Sequence, residues 1–191
     1  LSSLPPGKKA LRGRWVFCIK RDENGQIVKY KARFVAKGYS QIYGSDYCET
    51  FAPTAKLSTI RLSFALAAQL ECVVYQLDVK SAYHNATISE EIYLEQPEGF
   101  VESGVDGQTV YCRLRKSLYG LRQAGREWHL LLDSWLVGHG CVTSQFGYCL
   151  CIYGLKESLV CSLSSGSMTF CTLATSLWPS LLRRLSALIL A

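Results

Sequence analysis

Val73-Val74-Tyr75-Gln76-Leu77-Asp78-Val79-Lys80 is a strongly β-prone run that closes on an aspartate. Val, Tyr and Leu suit a strand on a pleated, half-buried surface. A carboxylate at the end of such a strand is costly to bury unless it is paired or coordinates a cation. An exposed strand end or a helix cap is the ordinary alternative. Before this run, Ser58 is placed to cap a helix over 58–71, with Ile60, Phe64, Ala67 and Ala68 at helical spacing. After it, 92–95 and 109–114 are short strand candidates, punctuated by Pro97-Glu98-Gly99 and by the glycines at 104 and 107.

Working outward, 14–20 reads as a strand with Trp15, Phe17 and Ile19 on one face, and Asp22-Glu23-Asn24-Gly25 supplies turn chemistry. The return strand, 26–35, alternates Ile27 and Val28 with Lys29, Lys31 and Arg33 around Tyr30. This predicts a hairpin lined with cations, or equally an edge hairpin protected by lysines. Toward the other end, 123–137 is the clearest helix. Trp128, Leu131, Leu132, Trp135 and Leu136 fall on one stripe, core in character, and Gly138 or Gly140 can end it. The last strand candidate is 149–153. Strands and helices in this order predict an α+β fold, with helices packed on a small antiparallel sheet.

The 191 residues suffice for one domain with a core. The net charge of +6 is modest, but its distribution is uneven. From Lys8 to Lys37 ten Lys or Arg face only Asp22 and Glu23; from Asp46 to Asp106 ten acids face Lys56, Arg61 and Lys80; from Arg113 to Arg126 five cations face no acid. That pattern suits a polyanion cleft around a metal centre, or simply an uneven solvated face. The nine cysteines are odd in number and contain no C-x-x-C pair, which fits reduced, buried thiols better than disulfides or zinc. The uncharged stretch after Ser158 is broken by Gly166 and Pro179, against a membrane span. The chain begins at Leu1 and reads as a fragment.

Five blocks then resemble, in order and spacing, the reverse transcriptase of copia-type retrotransposons. They are Tyr30-Lys31-Ala32-Arg33-Phe34-Val35-Ala36-Lys37-Gly38-Tyr39-Ser40-Gln41; Glu49-Thr50-Phe51-Ala52-Pro53; Leu77-Asp78-Val79-Lys80-Ser81-Ala82-Tyr83; Tyr93-Leu94-Glu95-Gln96-Pro97-Glu98-Gly99-Phe100; and Ser117-Leu118-Tyr119-Gly120-Leu121-Arg122-Gln123-Ala124. Any one would be weak, but five in register over 13–153 are not. The resemblance implies the fingers and part of the palm of a right-hand polymerase, with residues 1–13 as a linker, 14–156 as the incomplete catalytic domain and 157–191 as a tail.

It further implies nucleotidyl transfer with two Mg2+ ions. Asp78 matches the first carboxylate ligand, and the backbone carbonyl of Val79 a weaker one. Tyr83 matches the aromatic gate that excludes a 2′-hydroxyl. Arg33, with Lys20 and Lys31, resembles the finger cations that grip a triphosphate. Tyr119, Gly120 and Gln123 resemble the block beneath the templating base and incoming nucleotide. Implied partners are an RNA or DNA template-primer, deoxynucleoside triphosphates and other Pol polyprotein domains, with no membrane. The implied location is intracellular, in a cytoplasmic particle or the nucleus. One departure is Ala124-Gly125-Arg126, where the family has Ala-Pro-Arg.

A larger departure concerns the family's aromatic-Val-Asp-Asp signature, expected after Ile152-Tyr153. No Asp follows Asp133. Read one nucleotide earlier, however, the codons of Met168 and Thr169 force an aspartate. Ser167 permits a second one before it, and a Leu and then Tyr or His follow from Phe170, Cys171 and Thr172. One position disagrees: the codon two before the first Asp must end in GG, which encodes neither Tyr nor Phe. This predicts a frame shift between residues 155 and 161, an out-of-frame tail, and no order there. As it stands the chain would be an RNA-directed DNA polymerase fragment without activity. The alternatives are a nucleic-acid-binding remnant or a non-functional product.

Overall fold

In chain order the elements are β1 (Gly13–Arg21), β2 (Ile27–Ala36), α1 (Leu57–Gln69), β3 (Val73–Asp78), β4 (Tyr93–Leu94), β5 (Cys112–Arg113), α2 (Ala124–Gly138), β6 (Cys141–Thr143), β7 (Leu150–Tyr153), β8 (Leu159–Leu163) and β9 (Thr169–Ala174). This computed structural model describes residues 1–69, 71, 73–145, 147–153, 159–163 and 169–174. Among the described residues the fold is a small α+β arrangement of two α-helices and antiparallel sheets. The chain divides into two compact units: Leu1–Thr50 with Ala86–Ala124, and Phe51–Asn85 with the part from Gly125 onward.

In the first unit, β1 and β2 form the predicted hairpin, in register from Gly13↔Ala36 to Lys20↔Lys29, with an irregularity between Lys20 and Arg21. Its turn is built as the sequence suggests. The Asp22 carboxylate accepts from the backbone N–H groups of Asn24 (2.9 Å) and Gln26 (2.8 Å), and Gly25 takes the left-handed φ of 80°. Beside the hairpin, β4 pairs with β5. Residues 1–13, read above as a linker, join this unit: Ser2 bridges Tyr111, Leu11 bridges Leu94, and Leu11 is buried with Ile92, Tyr93 and Leu94.

The second unit is a five-stranded antiparallel sheet in the order β3-β9-β8-β7-β6, with α1 against β3, β8 and β9. Two expectations change here. The buried face of α1 is Ser63 and Ala67, whereas Phe64 is 45% exposed. Small side chains let the helix close on the sheet, and Ser63 spends its hydroxyl on the Thr59 carbonyl at 2.9 Å. The tail in which order was not expected supplies β8 and β9. Strand pairing uses main-chain groups, and Thr169-Phe170-Cys171-Thr172 is β-prone in whatever frame it arose. Residues 175–191 lie outside the described residues. α2 buries Trp128, Leu132 and Leu136 as the stripe predicts, while Trp135 is half-buried and stacks on His139 at 4.0 Å between ring centroids. Burial pushes the Cys141 and Cys149 thiols up to about 11.

Candidate active site

Directly paired residues of antiparallel strands share a face, so the hairpin register sorts its side chains into two flanks. Lys20↔Lys29, Cys18↔Lys31 and Val16↔Arg33 lie on one; Trp15↔Phe34, Phe17↔Ala32 and Ile19↔Tyr30 lie on the other. The three finger cations expected from the sequence, Lys20, Lys31 and Arg33, therefore share a face. The opposite flank is aromatic. Trp15 stacks on Phe17 (6.3 Å) and meets Phe34 (5.3 Å) and Phe100 (6.0 Å), yet Phe17 remains 74% exposed.

Arg33 reaches the second predicted block. Its guanidinium lies 5.8 Å from the centre of the Tyr119 ring, a cation–π arrangement. Three residues on, the backbone of β2 is joined to the same turn: Ala36 N–H donates to the Tyr119 carbonyl at 2.8 Å. Gly120 follows with φ 93°, and a Cβ there would overlap the Ala36 carbonyl. A Cβ on Gly38 would likewise overlap the Gly120 carbonyl. Glycine at both positions is what allows these backbones to touch.

Gln123 does not face an opening. It is 0% exposed; its amide N–H donates to the Asp46 carbonyl at 2.8 Å and its oxygen accepts from Gln41 at 2.9 Å. Arg122 adds a backbone bond to Gln41 Oε1 (2.8 Å), a guanidinium bond to the Gly38 carbonyl (3.0 Å) and a place over the Tyr47 ring at 5.3 Å. Gln41, Asp46 and Arg122 were not singled out from the sequence. The available signal was the recurrence of glutamine inside three of the five blocks, at Gln41, Gln96 and Gln123.

In the second unit, β3 ends at Asp78, whose Cα partner on β9 is Thr169. Val79 is buried. The chain then turns through Ser81, a non-glycine at φ 51°, and enters a 3-10 turn, Ala82–Asn85, closed by His84 N–H to the Ser81 carbonyl at 2.8 Å. Tyr83 is half-buried on that turn. Left-handed backbone at a non-glycine is held only where its surroundings enforce it, and it gathers at functional sites. Burial lowers the pKa of His84. Among the described residues, no three His, Cys, Asp or Glu side chains gather as a metal site. No helix among them is long and apolar enough to cross a membrane.

The family described as reverse transcriptase (RNA-dependent DNA polymerase) matches residues 1–166, up to the residue before Ser167. The chain is 47% identical over 136 residues to the retrovirus-related Pol polyprotein from transposon TNT 1-94 of Nicotiana tabacum, covering 71% of this chain and 10% of that protein. It is 42% identical over 140 residues to the polyprotein from transposon RE2 of Arabidopsis thaliana (73% and 10%). With the one from RE1 of the same plant it shares 39% over 157 residues (82% and 11%). The chain thus spans about a tenth of the length of these curated relatives. No solved structure matches it. With five motif blocks, the α+β fold and the family match in agreement, this chain belongs to the reverse transcriptase family, in the form carried by the Pol polyproteins of copia-type retrotransposons.

Proposed function

We propose that the chain is the fingers and the front of the palm of an RNA-directed DNA polymerase, the first unit serving as fingers and the second as palm. The observation that carries this is the single cationic face of Lys20, Lys31 and Arg33, with Arg33 anchored over Tyr119. A guanidinium held by an aromatic ring is pre-oriented for phosphate oxygens. Two lysines on the same face add mobile positive charge for a triphosphate. Gly120 lets the Tyr119 turn close on the end of β2, which fixes the ring over which Arg33 lies. Gln123 serves by holding that turn. Tyr83 acts as the steric gate against a 2′-hydroxyl.

The metal end is incomplete. Magnesium takes oxygen ligands, commonly one or two carboxylates with substrate phosphates and water. Asp78, helped by the Val79 carbonyl, provides one carboxylate, and no Asp follows Asp133. The donor set of this chain falls short of a two-ion site. The missing pair lies in the gene, one nucleotide out of frame. A shifted codon built from Met168 and Thr169 is aspartate, and Thr169 is the cross-strand partner of Asp78. The chain as translated is therefore inactive, and residues 157–191 are its out-of-frame tail.

Magnesium-dependent primer extension tests this. The chain as given should extend no primer, and a version with the shifted frame restored should extend one, with Asp78→Ala abolishing it. Extension that survives Asp78→Ala would sink the assignment, as would a gene lacking a GATGAC-type pair at that place. A non-catalytic nucleic-acid-binding role has its own support. Lys8, Lys9 and Lys37 line one groove of about 480 Å³ in the first unit, together with Arg12 paired to Glu95 at 3.4 Å; the three lysines offer a seat for backbone phosphates. Binding to a primer-template that weakens steeply with salt would favour it.

A further inference from the structure

We infer that Gln41 is the positioning residue of the triphosphate cradle, holding the end of β2 against the Tyr119–Gln123 turn so that Arg33 stays over Tyr119. The inference rests on the nucleotide-gripping reading of Arg33. Gln41 is 7% exposed, and its carboxamide works in two directions. Its oxygen accepts from Arg122 N–H at 2.8 Å, and its nitrogen donates to Gln123 Oε1 at 2.9 Å, with the Asp46 carbonyl 3.4 Å away. Arg122 returns the tie by donating to the Gly38 carbonyl.

Without that carboxamide, Gln123 Oε1 loses its partner at a fully buried position and Arg122 N–H loses its own at a partly buried one. A buried group so stranded seeks water, and the two segments part to admit it. The next contacts up the chain are the Gly38–Gly120 approach, the Ala36-to-Tyr119 bond and then the Arg33–Tyr119 stack. Gln41 touches no substrate on this account. It acts through Arg33, and that distinguishes it from a residue that merely fills the core.

The test uses the 191-residue chain with magnesium dATP as the probe, followed by titration calorimetry, together with amide exchange at Ala36 and Arg122. The proteins are the unsubstituted chain, Arg33→Ala, Gln41→Met and the double variant. Gln41→Met should weaken dATP binding on the order of tenfold and speed exchange at both amides. It should add nothing once Arg33→Ala is present, because both changes break one device. Gln41→Glu keeps the acceptor for Arg122 and should recover protection at that amide and part of the affinity; it also replaces Gln41→Met should the latter not fold. Additive losses in the double variant would overturn the inference. So would unchanged exchange at Ala36, or an affinity loss that follows the melting temperature alone. Equal binding by the unsubstituted chain and Arg33→Ala would remove the parent reading and this inference with it, whatever Gln41→Met does.

Discussion

In the first unit the residues of interest are held by one another's side chains. Arg33 lies over Tyr119, Arg122 over Tyr47, and Gln41, Gln123 and the Asp46 backbone close a buried ring of amide bonds. In the second unit the described setting of Asp78 is main-chain pairing, its Cα opposite Thr169 in a five-stranded sheet. The two kinds of construction tolerate sequence change differently. A ladder of N–H and C=O groups accepts any β-capable segment, so β9 can complete the sheet while supplying no carboxylate. A side-chain ring fails when one member is replaced. The first unit's junction therefore depends on particular side chains, whereas the second unit's sheet is completed by β9 with Thr169 opposite Asp78.

The largest expected effect falls where the first unit is tightest. Gly120→Ala combines a left-handed φ with overlap on the Ala36 carbonyl and should cost about 3 kcal/mol or more in urea unfolding. A loss below about 1 kcal/mol would break the contrast, since the junction would then yield as easily as a strand pair. Gln123→Leu comes next. It leaves the Gln41 amide without its shorter acceptor bond and the Asp46 carbonyl without its strongest donor, and should cost about 2–3 kcal/mol by the same measurement.

A pH scan sharpens the other side of the comparison. Burial raises the Cys141 and Cys149 thiols from 9.0 to about 11. With folded values above unfolded ones, their contribution is intact below pH 9 and is lost as the pH climbs toward about 11. Melting temperatures should fall across that window, and Cys141→Ala with Cys149→Ala should flatten the fall. The exposed Cys18 and Cys48 should be alkylated first. A fall unchanged in the double variant would place the alkaline weakness elsewhere.

The smallest effect is a gain. Gly125 stands in the first turn of α2, where backbone N–H groups have no intrahelical acceptor and proline is tolerated. Gly125→Pro should add about 0.5–1 kcal/mol by restricting the unfolded chain, read as a small rise in melting temperature. A decrease would mean that the Ala52 methyl, 3.3 Å from a Cβ at this position, does not give way.

Much of the architecture was legible because periodicity is local. The β1–β2 hairpin follows from alternation around Asp22-Glu23-Asn24-Gly25, and the core stripe of α2 from Trp128, Leu132 and Leu136. On the face of α1, Ala67 was read correctly, but Phe64 was given weight over Ser63, and close helix–sheet contact reverses that preference. β8 and β9 gave no warning, since a Leu/Ser/Cys-rich run alternates too little to declare a strand. For the site, resemblance brought Arg33, Tyr119 and Gly120 forward. Gln41 stayed hidden because its partner Gln123 is 82 positions away, and an amide in a loop carries no periodic signal.

The unequal flanks of the β1–β2 hairpin have a consequence for handling the protein in solution. Phe17, Ile19 and Tyr30 are exposed on one side and Lys20, Lys29 and Lys31 stand on the other. At low ionic strength the lysines of neighbouring molecules repel over about 10–30 Å and keep the aromatic sides apart. Added salt shortens that range without weakening hydrophobic attraction, and sulfate strengthens it. Solubility should accordingly fall as salt is raised, and a polyanion such as heparin, which covers the lysines while adding charge, should restore it.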